Sequence, residues 1–101
     1  MVSNTKLDSP INDFQQLMAI TAEECAELTQ VCMKLMRKYN SLVLSAQEDK
    51  YIKLLVEEAG DVLCMLELMS EHGIFDWQQI YTRADVKKEK LKLWSTLVKE
   101  S

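Results

Sequence analysis

At 101 residues the chain has room for one domain, residues 1–101, and little mass with which to bury a core unaided. Hydrophobic residues make up 48% of it and charged residues 28%, which excludes a disordered chain, while two glycines and one proline leave little for hairpins. The net charge of −4 argues against a binder of duplex nucleic acid, whose footprint is basic.

With strand signals absent, the pattern predicts an all-α antiparallel subunit of about three helices, preceded by a flexible stretch over 1–8. A helical chain of this size completes its bundle by pairing with copies of itself, as a homodimer or homotetramer. The first helix is expected over about 10–39, with Ser9 as its cap and Pro10 at its first position. Ile11, Phe14, Met18, Thr21, Cys25, Leu28, Cys32, Leu35 and Tyr39 recur every three or four residues and draw its apolar stripe. Asn40-Ser41 is its stop, and Ser45-Ala46-Gln47-Glu48 is the capping box that announces the second helix.

That second helix is expected to run to His72, with Gly73 as the left-handed residue that ends it. His72, the only histidine, suits the negative end of the helix dipole and is read as structural. Asp76-Trp77-Gln78-Gln79 is a further capping box and opens a third helix carrying Ile80, Tyr81, Ala84, Val86, Leu91, Trp94 and Leu97. Its apolar positions are less regular, which leaves room for a break near Arg83–Asp85. Cys25, Cys32 and Cys64 read as buried small hydrophobes: Cys25 and Cys32 lie about 10 Å apart along one helix, beyond disulfide reach.

No apolar run reaches the roughly 18 residues that span a bilayer, and Met1 to Ser9 lacks the form of a signal peptide, so the expected location is the cytoplasm. Charge is unevenly spread. Residues 1–82 hold six bases against thirteen acids, whereas residues 83–101 hold six bases against three acids.

Chemistry concentrates in two acidic blocks, Glu23-Glu24-Cys25-Ala26-Glu27 and Glu57-Glu58-Ala59-Gly60-Asp61. Residues three apart on a helix lie nearly above one another, so Glu24 with Glu27 and Glu58 with Asp61 each make a two-carboxylate claw. At about 100° per residue Glu58 falls inside the arc of Tyr51, Leu55, Val62, Met65 and Met69, while Glu24, Glu27 and Asp61 flank their stripes. A carboxylate aimed at a packed interface needs a proton, a base or a cation, and more carboxylates converging on it leave the cation as the ordinary answer. Oxygen donors of this kind select hard divalent ions, so the four acids are read as a magnesium site. A single Glu-rich string is usually a solvated helix face. Two of them, one reaching the buried arc, favour a site.

Glu-Glu-x-x-Glu followed by Glu-Glu-x-x-Asp resembles the signature of the MazG-type all-α nucleoside triphosphate pyrophosphohydrolases, and EECAEL with EEAGDVL is similar to their small, single-domain, phage-like members. The likeness runs from about Phe14 to Leu97. It implies a helical dimer or tetramer with Glu24, Glu27, Glu58 and Asp61 as ligands of Mg2+, or Mn2+ in its place, at two or more ions per site. It also implies hydrolysis of a (deoxy)nucleoside triphosphate to the monophosphate and pyrophosphate, with metal-activated water as nucleophile. Glu24 or Glu27 is the candidate to take the proton from that water, with Glu23 and Glu57 orienting groups from behind.

Lys34 on the first helix and Lys87, Lys88 and Lys90 on the third are candidates for the phosphates. Phe14, Trp77 or Trp94 could stack on a base, and Asn12 or Gln16 could read its edge. Competing substrates are phosphoribosyl-ATP and an alarmone. The non-enzymatic alternative is a helical interaction module with a structural cation. A di-iron carboxylate bundle is set aside because it needs Glu-x-x-His steps, and Met69 stands three places before His72.

Overall fold

A computed structural model describes residues 12–39 and 50–99. Among them are three α-helices and no strand: α1 (Asp13–Lys38), α2 (Lys50–Glu71) and α3 (Trp77–Trp94). The chain divides into two compact units, Met1–Leu68 and Met69–Ser101. None of the three helices is long and apolar enough to cross a membrane.

The first unit holds α1 and most of α2. The start of α1 differs from expectation. Asn12 has extended backbone and accepts the Gln15 N–H at 2.8 Å, while the Gln15 side chain accepts the Asn12 N–H at 3.1 Å. This reciprocal box, with Asn12 extended, fixes the helix start at Asp13. Ser9, Pro10, the expected stop at Asn40-Ser41 and the box at Ser45–Glu48 lie outside the described residues, as does the 1–8 segment. At its other end α1 carries Arg37 and Lys38, placed well for the negative pole of the helix.

The inward face of α1 also shifts from the expected one. Leu17 and Val31 are its buried residues, with Ile20, Thr21, Glu24, Leu28 and Leu35 half-buried along the same line. Phe14, Cys25 and Cys32 are exposed. On α2 the expected arc holds: Tyr51, Leu55, Glu58 and Val62 are half-buried and Met65 is buried. All three cysteines are exposed free thiols, which corrects their reading as core residues.

In the second unit α2 ends in a Schellman motif. Gly73, at φ +78°, donates its N–H to the Ser70 carbonyl at 3.0 Å, and Ile74 donates to the Met69 carbonyl at 3.0 Å. A left-handed residue is required there, and glycine adopts that conformation without steric cost. Asp76 then caps α3 as expected: it accepts the Gln78 N–H at 2.7 Å, and Gln79 accepts the Asp76 N–H at 2.9 Å. The helix runs unbroken through Arg83–Asp85 and stops at Trp94, so Leu97 falls beyond it. No residue of α3 is buried. Met69 is the one buried hydrophobic residue among the described residues of this unit, while Leu93, Trp94 and Leu97 are largely exposed.

Candidate functional site

Glu24 stands seven residues after Leu17 and seven before Val31, the two buried side chains of α1. Glu58 stands seven before buried Met65 in the same way. Seven residues are about two helical turns, so each glutamate occupies the angular position of a core residue. Glu24 is therefore on the inward line of its helix rather than on the flank that the apolar pattern suggested. Each of the two has one oxygen, Oε2, shielded from water and without a hydrogen-bond partner.

The two carboxylates also meet a third. One carboxylate oxygen from each of Glu24, Glu27 and Glu58 lies within 4.8 Å of the other two. Glu27 comes from the exposed side of α1, one turn from Glu24, and the α2 backbone brings Glu58 across to both. Asp61 is exposed and outside this group of three, although its negative charge is felt at Glu24. The expected cage of four is thus a cluster of three with a fourth acid beside it.

The electrostatics follow from the geometry. Loss of hydration raises the Glu58 carboxyl first, and the adjoining Glu27 and Glu24 raise it further, to about 7. Glu24 is also raised, first by loss of hydration and then by the charges of Asp61 and Glu27. Without a counter-ion this cluster holds on to a proton near neutrality. Three convergent carboxylates with two unsatisfied shielded oxygens fit the oxygen-donor preference of a hard divalent cation, and Glu24, Glu27 and Glu58 are the residues that could hold it. Of the two residues behind the claws, Glu57 is exposed and Glu23 half-buried.

The other candidates are more dispersed. Lys34 lines an open groove of about 550 Å3 together with Arg37, Lys38, Lys50 and Tyr51. The Lys38 and Lys50 ammonium groups stand 5.3 and 5.2 Å from the Tyr51 ring centroid, and Lys38 is also 5.6 Å from that of Tyr39. Only Lys34 of this basic group was legible as a site residue. The signal for the others was the run Lys34-x-x-Arg37-Lys38 at the helix end.

Lys87, Lys88 and Lys90 are exposed on α3, in the second unit. Phe14 is exposed and Gln16 half-buried, while Asn12 is occupied as the cap of α1. Trp77 is half-buried, edge-on to Phe75 and stacked on Tyr81 at 5.6 Å. Trp94 is 83% exposed, so it is no core residue of this chain. Compared with family models, with curated proteins and with solved structures, the chain finds no match.

Proposed function

We propose that the protein is a magnesium-dependent nucleotide pyrophosphohydrolase that cleaves a (deoxy)nucleoside triphosphate to the monophosphate and pyrophosphate. The observation that carries the reading is the convergence of Glu24, Glu27 and Glu58, with two shielded oxygens that nothing in the described chain satisfies. The reaction itself comes from the resemblance of the two acid blocks to the MazG-type enzymes, and a homo-oligomer belongs to the same reading.

Phosphoryl-type transfer asks a protein mainly for positioning and charge neutralisation, which suits a site built from carboxylates with no histidine or nucleophile. A bound magnesium ion would supply Lewis-acid polarisation of phosphate oxygens and lower the pKa of a coordinated water. Glu24 and Glu58, held at core positions, keep the donor set fixed. Glu27 is exposed and has an oxygen to spare, which suits it to accept the proton released by the attacking water. Asp61 adds negative potential next to Glu24 and is the nearby acid for a further cation.

The test is pyrophosphate release, followed by anion-exchange separation of products, over a panel of NTPs, dNTPs, phosphoribosyl-ATP and guanosine tetraphosphate with Mg2+ or Mn2+. Turnover of at least one triphosphate is expected, together with its loss in Glu58→Gln at unchanged helix content. Silence across the panel, with calorimetry still detecting a bound divalent ion, would transfer the cluster to a structural role.

A further inference from the structure

Within an acidic chain, one stretch of the first unit carries bases alone. From Leu28 to Gln47 the sequence holds Lys34, Arg37 and Lys38 and neither aspartate nor glutamate. The three bases are exposed on the last turns of α1, and Lys50, the first residue of α2, is exposed with them along an open groove of about 550 Å3. Half-buried Tyr51 completes its lining, and no acid of the described residues belongs to it.

Two ordinary explanations fall short of this cluster. The negative end of a helix draws bases, but that pole of α1 amounts to about half an elementary charge. Four full positive charges exceed it. Nor do ion pairs neutralise them as Glu89 neutralises Lys92 at 3.0 Å: Lys34, Arg37 and Lys50 make none among the described residues. Tyr51 instead gathers two of the bases, with the Lys38 and Lys50 ammonium groups 5.3 and 5.2 Å from its ring centroid. A ring that draws two like charges to one place creates a repulsion that a shared anion relieves.

We propose that this groove, at the end of α1 and the start of α2, binds an oligophosphate anion without a metal ion. Four cations in one small groove ask for a compact ligand of several negative charges, and phosphate oxygens suit both the planar fork of Arg37 and the ammonium groups. A strand of nucleic acid is disfavoured, because beyond the groove it would run along a chain whose first 82 residues carry thirteen acids against six bases. An inorganic oligophosphate and the tail of a nucleoside polyphosphate share the chemistry that fits. The site is distinct from the acid cluster: Arg37 is ten residues beyond Glu27, about 15 Å along α1, and it meets the anion directly rather than through magnesium. Lys34 then serves this groove instead of phosphates held on the metal. The inference is independent of the hydrolytic reading.

The experiment titrates sodium tripolyphosphate into the full chain in EDTA at neutral pH and low salt, followed by calorimetry and by amide shifts in NMR. Saturable binding of one anion per chain is expected, weakening as salt rises, with the shifts gathered over 34–39 and 50–52. Arg37→Ala and Lys50→Ala should each weaken it about 10-fold, and the two together about 100-fold, with circular dichroism unchanged. Two controls should bind as wild type does: Glu58→Gln, which alters the acid cluster, and Lys87→Ala/Lys90→Ala, which removes bases from the other unit. ATP separates the two sources: affinity at or above that of tripolyphosphate assigns the groove to a nucleotide tail, and lower affinity assigns it to the inorganic anion. AMP should bind at least about 10-fold more weakly than the better of the two. No saturable binding, a requirement for Mg2+, undiminished binding by the folded Arg37 and Lys50 variants, an equal loss in the α3 variant, or tighter binding of a single-stranded oligonucleotide would each overturn the proposal. Pyrophosphate release by a chain that failed this titration would leave the hydrolytic reading standing.

Discussion

The first unit and α3 break the usual inside–outside rule in opposite directions. Along α1 and α2, Glu24 and Glu58 occupy positions whose sequence neighbours seven residues away are buried hydrophobics. Along α3, Leu93 and Trp94 stand in water while no residue of the helix is buried. Shielded charge and exposed apolar surface are both unfavourable by themselves. The two departures differ in kind: the first is where the proposed reading would place a hard cation, and the second is apolar surface left uncovered among the described residues.

The largest expected effect lies on the glutamate side of this contrast. Glu58→Gln keeps the shape of the side chain and removes one anionic donor, so turnover should fall by more than the roughly 100-fold that outer contacts to a metal ligand cost. Steady-state rates with calorimetric Mg2+ binding would check it, and a variant that retained wild-type rates would remove Glu58 from the site.

The same residue gives the cation-free protein a pH dependence. Glu58 ionises at about 7 in the folded chain against 4.5 in its unperturbed state, so between those values the folded form binds more protons than the unfolded form. Stability therefore falls as pH rises from 4.5 to about 7 and levels above that. Melting temperatures measured in EDTA should show this decline. Glu58→Gln should flatten it and be the more stable protein at pH 8, and Mg2+ should offset it in wild type. A flat wild-type profile in EDTA would mean that the three carboxylates do not meet.

Smaller effects compare how the two units are held. Gly73→Ala forces a side chain into the left-handed region and should cost about 1–2 kcal/mol. Asn12→Ala and Asp76→Ala remove matched capping boxes, one from each unit, and each should cost about 1 kcal/mol. Urea titrations followed at the tryptophans and by circular dichroism will show whether the two losses fall on one transition or on two. Smallest of all, Gly60→Ala should stabilise α2 by about 0.8–1 kcal/mol, because its Cβ meets nothing within 4 Å.

Much of the fold was legible in the residues. Asp76 with Gln79 and Gly73 are local signals, each acting through its own hydrogen bonds, and both act where expected. Asn12 with Gln15 is the same kind of signal, but Ser9-Pro10 just before it is a louder one by residue type. The inward line of α1 was misplaced because threonine and cysteine were counted as apolar, which turned the arc toward Phe14, Cys25 and Cys32. Its true line passes through Glu24, and hydropathy gives a glutamate no weight as a core residue. Glu58 was legible because its apolar neighbours are unambiguous. For α3, periodicity names apolar positions but not whether anything covers them, so the exposure of Trp94 was not legible.

The spacing of Leu17, Glu24 and Val31 has a consequence for ionic strength. The inner carboxylates are pinned by apolar neighbours two turns away along α1 and α2, and among the described residues no ion pair holds them in place. Added salt screens their mutual repulsion and leaves the pins untouched. Brine should thus relax the tension within the cluster without scattering it, whereas a grip made of lysines and arginines would loosen under the same treatment.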